Sequence, residues 1–337
     1  MISTRQSDIA KKLNISRVTV SKALRDHPDI SRSMKSKVRE TALKMGYIPN
    51  LIAKQLNSRK TFTIGVVIPD LENSFFAYVA DSIIDYATEK GYRVILTVSR
   101  EKESVEKENI ENLIGMRVDG LLICISQETR NTEVFSLIKR MNIPLVFFDR
   151  IIHDPDFSSV AFNDKEGAVN ALTQVIPAGY RKIAHFAGYS RISIGKERLN
   201  GYKVSLKKHN IPLKKEWIIE GGFEIIDGRN AMRKLYSLGE MPEVILAVND
   251  RVALGAYLEA KKLGLRIPSD IWFIYYGFNE TTNISSSSMS VINQDPRKLG
   301  LRSAQILLDM IGKRTNSKPV RELLDVQTIW KKTIKKS

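Results

Sequence analysis

One cysteine in 337 residues leaves this chain no internal disulfide, and that residue, Cys124, lies in an apolar run. The four histidines, His27, His153, His185 and His209, are scattered, with no second cysteine nearby to suggest zinc-site spacing. Apolar runs are short: the longest, such as Leu121–Ile125 and Ile271–Tyr276, are strand-sized and far from a membrane span. The opening residues, Met1-Ile2-Ser3-Thr4-Arg5-Gln6, lack the apolar core that a signal peptide needs. Together these absences predict a cytoplasmic protein in a reducing compartment. Catalytic signatures are equally scarce. No Gly-x-Ser-x-Gly elbow occurs. The nearest approach to a phosphate loop, Gly188–Glu197, spaces its glycines too widely and carries Glu after its Lys where Ser or Thr is needed. No enzyme, metal or cofactor is expected.

Basic charge, by contrast, is abundant and unevenly placed. Fifty-three Lys and Arg against 37 Asp and Glu give +16. Residues 1–60 hold 14 of the basic and 4 of the acidic residues, a net +10, which leaves only +6 for the other 277 residues. So concentrated an excess suggests a polyanion partner, with a solvated surface as the alternative. The chain is too long for one ordinary domain, and its 43% hydrophobic content is that of a globular protein.

Order within the first sixty residues carries more than charge. Ser7–Leu13 reads as a short helix with Ser7 as its cap and Ile9, Ala10 and Leu13 on one face. Asn14-Ile15 makes a turn, and Ser16 can cap a second helix from Arg17 to about Arg25, with Val20, Ala23 and Leu24 inward. A third helix starts at Ser31, repeats Met34, Val38, Ala42 and Met45 at helical spacing, and ends at Gly46. Three small helices with a four-residue connection after the first match a helix-turn-helix unit. Its second helix can present N-terminal side chains to base edges in a major groove.

Asp8-Ile9-Ala10, Ser16–Leu24 and Gly46-Tyr47-Ile48-Pro49-Asn50 resemble, at ungapped spacing, the headpiece of the lactose-repressor (LacI/GalR) family. That resemblance implies base reading by Arg17, Val18 and Lys22, and phosphate contacts from Ser16, Thr19, Ser21, Ser31, Tyr47 and Asn50. Elementary chemistry agrees, since Arg and Lys can contact guanine O6 and N7 while short hydroxyls hold phosphates. Thr19 and Ser21 read equally well as ordinary surface residues. Val18 departs from the pattern: it cannot hydrogen-bond a base and offers only apolar contact, for example to a thymine methyl. The following stretch, Asn50–Ser58, spans about two turns, too short to hold a helix in water unaided. In the resembled family this hinge helix forms on DNA beside its dimer mate, and a leucine at the position of Leu56 wedges into the minor groove. Packing of Leu56 against the next domain is the alternative. Residues 1–46 are therefore read as the headpiece and 47–60 as hinge helix and linker.

Beyond residue 60 buried-strand runs alternate with helical stretches. Thr63–Pro69, Arg93–Ser99, Gly120–Ser126, Pro144–Asp149, Lys182–Gly188, Val244–Asn249 and Ile271–Tyr276 are strand-like, and Phe75–Lys90, Val105–Met116, Lys165–Ala178 and Arg251–Lys262 are helix-like. Such alternation means parallel sheets with helices on both faces, and ligands that bind beyond the carboxyl ends of the strands. Ile64–Pro69, Val118–Leu121, Phe147–Arg150, Arg198–Tyr202 and Ala247–Asp250 resemble the α/β, two-lobed, periplasmic-binding-protein-like effector domain of the same family. The resemblance implies one lobe from residues 61–161 plus 293–330 and another from 162–292, with crossings near 160 and 292 and a third near the C-terminus.

Candidate effector contacts follow strand ends: Asn73, Phe75 and Phe76, then Asp149 with Arg150 beside it, Arg198 at a helix start, Phe223, and Asn249 with Asp250. Carboxylates, amides, Arg and aromatic faces form the set that brackets a sugar. Asp250 also reads as a helix cap and Phe76 as core. Where the family usually carries Gly-aromatic-Asp, this chain has Ile274-Tyr275-Tyr276-Gly277-Phe278-Asn279, so the usual acid position falls on Gly277 or Asn279, neither a carboxylate. The expectation is a DNA-binding regulator, a repressor of carbohydrate genes, that grips a pseudo-palindromic operator as a homodimer under a sugar-like effector. The alternatives are a non-sugar ligand such as a nucleobase, or a small-molecule-binding protein without regulation. The C-terminus carries no heptad leucines that would form a tetramer.

Overall fold

Residues 4–47, 60–278, 289–313 and 318–331 are described in the computed structural model, and the chain divides into two units, Met1–Thr61 and Phe62–Ser337. The first unit is three helices, α1 (Gln6–Leu13), α2 (Arg17–Leu24) and α3 (Arg32–Lys44). Ile9, Ala10, Val20, Ala23, Val38 and Ala42 form its buried core, the faces that 3.6-residue spacing brings together. Ser16 and Ser31 cap α2 and α3, accepting from Thr19 N at 3.0 Å and Met34 N at 3.3 Å. Ser7, expected as the first cap, lies inside α1. The Asp8 carboxylate reaches back to accept from Arg5 N at 2.8 Å, and the cap position is Arg5, two residues earlier. The α1–α2 connection is the three residues 14–16 rather than four, tightened by Asn14 in the left-handed region (φ 52°). Gly46, at φ 63°, ends the third helix. The expected hinge helix, with Asn50 and Leu56, lies outside the described residues.

Two six-stranded sheets, parallel but for the last strand of the second, build the second unit. Strands β1 (Thr63–Ile68), β2 (Arg93–Val98), β3 (Gly120–Ile123), β4 (Leu145–Phe148), β5 (Ser158–Phe162) and β11 (Arg321–Leu324) form the first, in the order β2-β1-β3-β4-β5-β11. Strands β6 (Ile183–Ala187), β7 (Ile218–Glu220), β8 (Val244–Ala247), β9 (Trp272–Gly277), β10 (Met289–Asn293) and β12 (Gln327–Ile329) form the second, in the order β7-β6-β8-β9-β10-β12. Helices cover both faces of each sheet, which is why strands such as β1, β4 and β8 are apolar at nearly every position.

The chain passes between the sheets after β5, where helix Asp164–Val175 packs on the second sheet, and after β10, where helix Pro296–Lys313 returns to the first. It passes once more between β11 and β12. The segment 293–330, expected wholly in the first lobe, is thus shared between lobes. Strand β12 pairs antiparallel with β10 and covers an edge of the second sheet that would otherwise be open.

Candidate functional site

In the N-terminal unit, α2 presents Arg17 and Val18 at its exposed N-terminal end, Val18 at 64% exposure. Val18 belongs neither to the buried core of its unit nor to the described residues packed against that core. Ser16 and Thr19 share a hydroxyl hydrogen bond of 2.9 Å beside the same end. Lys22 pairs with Asp29 at 2.9 Å, a surface contact of little stabilising worth. Ser21 is half-buried, Ser31 is spent on its cap, and Tyr47 packs on the edge of the three-helix core. Arg17, Val18, Thr19, Ser21 and Lys22 thus share one short helix, with Ser16 as its cap.

In the second unit the carboxyl ends of the two sheets face each other across a closed cleft. Four links span it. Ile151 N donates to Ser193 Oγ at 3.0 Å, and Arg191 Nε donates to the Gln127 carbonyl at 3.2 Å. Arg251 Nη1 meets Asp70 Oδ2 at 2.9 Å while its Nη2 meets Glu224 Oε2 at 2.6 Å. The Arg150 guanidinium, from the first lobe, lies 4.9 Å from the Phe223 ring centroid of the second and 5.7 Å from Phe76. Arg150 Nη1 also donates to both carboxylate oxygens of Glu101, at 2.7 and 2.8 Å, and its Nε is buried without a hydrogen-bond partner among the described residues. Cation–π contact on two rings and a doubled ion pair hold this guanidinium in one orientation.

Asp149, immediately after β4, is 5% exposed and sits at φ 58°, an uncommon conformation for a residue with a side chain. Burial pushes its carboxyl upward against the pull of Arg150 and Arg198. The Cys124 thiol faces its Oδ2 at 3.9 Å. Burial also raises Asp250 and Glu224, and it raises Asp164 to about 6 despite the adjoining Arg198.

Arg198 was expected to open a helix toward the cleft. It stands instead in the second turn of Ser193–Lys208, 2% exposed. Nε donates to Asp164 Oδ1 at 3.0 Å, Nη2 to Gln294 Oε1 at 3.1 Å, and Nη1 to the Val248 carbonyl. Its guanidinium lies 4.2 Å from the Tyr276 ring centroid. The remaining candidates are similarly engaged. Asn73 caps helix Ser74–Glu89 by accepting from Phe75 N at 3.0 Å. Phe75 meets the Phe76 ring edge-on at 5.4 Å and is half-buried, whereas Phe76, at 2% exposure, belongs to the core of its lobe. Asn249 accepts from Val252 N and donates to the Phe223 carbonyl, both at 2.8 Å. Phe223 lies against Gly188, where any Cβ would come within 2.3 Å of the ring.

At Gly277 a Cβ would meet the Tyr275 ring at 2.9 Å and Asp250 Cβ at 3.3 Å, so the glycine leaves room for Tyr275 and Asp250. Asn279 lies outside the described residues. Asp70, Glu101, Asp164, Arg251 and Gln294 complete the array and were not singled out from sequence. Only their positions just beyond β1, β2, β5 and β10 and at the start of helix Asp250–Lys262 could have flagged them.

Comparison with known proteins is consistent across the chain. Residues 61–329 match the family described as periplasmic binding proteins and sugar binding domain of the LacI family, and residues 7–50 match the bacterial regulatory proteins of the lacI family. Catabolite control protein A of Priestia megaterium is 29% identical over 94% of this chain and 95% of its own length. The HTH-type transcriptional repressor PurR of Vibrio vulnificus (strain CMCP6) is 31% identical over 98% of both chains. A crystal structure of the lac repressor dimer bound to operator and the anti-inducer ONPF superposes with a TM-score of 0.86 at 25% identity, covering 97% of this chain and 98% of that one.

Proposed function

Because this chain belongs to the LacI family of bacterial regulatory proteins, we propose that it is a transcriptional repressor that binds a pseudo-palindromic operator as a homodimer, one headpiece per half-site. A small effector in the interlobe cleft, a sugar or sugar derivative, shifts the lobes, and the hinge segments order or melt in response. The observation that carries the reading is the exposed Arg17-Val18 end of α2, in a basic three-helix unit on the same chain as a two-lobed body. In that role Arg17, Val18 and Lys22 meet base edges, while Ser16, Thr19, Ser21, Ser31, Tyr47 and Asn50 hold phosphates and Leu56 enters the minor groove. Asn73, Phe75, Phe76, Asp149, Arg198, Phe223, Asn249, Asp250 and Asn279 surround the effector. A ligand that enters must first open the links Asp70–Arg251 and Gln127–Arg191.

Among the described residues no helix is long and apolar enough to cross a membrane, and the proposal assigns the chain no catalytic step. A second reading, a non-sugar effector such as a nucleobase, rests on Gly277 standing where a sugar-gripping acid is expected. Operator affinity measured against a panel of mono- and disaccharides and nucleobases, alongside thermal unfolding, separates the two. A sugar that both stabilises the body and changes operator affinity supports the first reading; a nucleobase that does so while sugars do neither overturns it.

A further inference from the structure

The second lobe has a cavity at the end of its sheet opposite to the cleft. Its volume is about 310 Å³, and it lies between the start of β6, the end of helix Ser193–Lys208 and the 3-10 turn Lys215–Trp217. Its floor is apolar: Ile183, Leu206 and Trp217 are buried there, joined by Pro212. The rim carries Arg181, Lys182 and Lys214 with Glu240, and the Glu243 carboxylate accepts from Arg181 N at 2.9 Å and Lys182 N at 3.1 Å. Lys214 Nζ lies 4.3 Å from the Trp217 ring centroid and 2.5 Å from Glu240 Oε2, while Lys182 Nζ is 3.3 Å from Glu240 Oε1. Glu240 therefore already answers both lysines. Arg181 is exposed on the same rim and has no ion pair among the described residues.

We propose that this cavity is a second small-molecule site, distinct from the interlobe cleft, that takes an organic anion: one carboxylate or phosphate on a ring or short aliphatic body. Its apolar floor and the Trp217 face receive the body, and Arg181, with Lys182 beside it, receives the charge. A volume near the lower end of the range for ligand pockets suits a metabolite of this size rather than a folded partner. Three cations against two carboxylates, Glu240 and Glu243, leave this rim net positive. Apolar burial supplies most of the affinity, and the residual positive charge favours an anion over a neutral molecule of the same shape.

The test titrates the full-length protein by calorimetry with indole-3-acetate and with its uncharged counterpart, indole-3-ethanol. Saturable binding of the acid, at least about tenfold tighter than the alcohol and weakened by salt, is expected. In the double variant Arg181→Gln/Lys182→Gln the affinity for the acid should fall about tenfold or more, with thermal unfolding little changed because both residues are exposed and the one ion pair lost, Lys182–Glu240, is a surface pair. The proposal is overturned if the acid does not bind below about 10 mM, if acid and alcohol bind alike, or if the double variant binds as the wild type does.

Discussion

Arg198 donates to Gln294 at 3.1 Å, and Gln294 in turn donates from Nε2 to Asp164 Oδ1 at 2.9 Å. Asp164 begins the helix after the first crossing between lobes, and Gln294 directly follows the strand before the second. One buried guanidinium therefore fastens two of the three places where the chain passes between sheets. Its third acceptor, the Val248 carbonyl, lies just past β8. A contact shared by two crossings is well placed to register lobe movement, whether or not it also touches an effector.

Arg198→Ala is accordingly expected to destabilise the body as well as to alter the effector response. Removing the cation leaves Asp164 buried without its partner, a change worth about 3–5 kcal/mol in comparable buried pairs. Urea unfolding of wild type and variant measures it. A loss below about 1 kcal/mol would mean that the pair is not a structural fastener.

In the headpiece, Asp29 holds Lys22 at 2.9 Å on an exposed surface. Asp29→Asn frees the lysine and removes a negative charge near α2. Operator affinity should rise by about threefold, and its dependence on salt should steepen by about one ion. Unchanged affinity and unchanged salt slope would remove Lys22 from the interface.

How much of this was legible beforehand varies by element. Six of the seven strands named from sequence are buried at nearly every position, as parallel-sheet strands are when helices cover both faces. The seventh, Arg93–Val98, is an edge strand and only half-buried, while the buried Ser158–Phe162, which opens on two serines, was not named. The first sheet's last strand, Arg321–Leu324, is exposed at alternate positions and carries charges, so its apolar signal is broken. Helix Ser193–Lys208 starts five residues before Arg198, which reads from sequence as a helix start, and Gly195 lies inside its first turn. A Cβ there would come within 2.4 Å of the Tyr189 carbonyl, so the glycine serves close backbone approach inside a helix. The cleft was legible as a location through the strand-end rule, but its pairings were not. Glu101 and Arg150 are 49 residues apart and Arg198 and Gln294 are 96 apart, and no local pattern links them.

Leu56 lies outside the described residues, yet its role is open to test. Leu56→Ala should leave unfolding of the body unchanged and weaken specific operator binding by about tenfold or more, since a wedge side chain is lost. Equal affinity for operator in gel-shift titrations would dismiss the wedge.

His185, on strand β6 of the second sheet, is fully buried, with Nδ1 on the Leu246 carbonyl at 2.8 Å and its ring stacked on Tyr202. Burial lowers its pKa from 6.5 to about 4, so the folded protein resists the proton that the unfolded chain accepts. Stability from this residue is fully present above pH 6.5 and is lost as pH falls toward 4, by roughly 3 kcal/mol. The stability gap between wild type and His185→Gln should therefore shift toward the variant on acidification. A gap independent of pH would show that the imidazole titrates normally.

The most direct test of the whole account is selection of bound sequences from a random duplex library by the full-length protein, with Arg17→Ala in parallel. An enriched consensus of two inverted half-sites is expected for the wild type, with Arg17→Ala losing or relaxing one base position in each half. Absence of any enriched sequence, or an identical consensus from the variant, would contradict the assignment of α2 as the base-reading element.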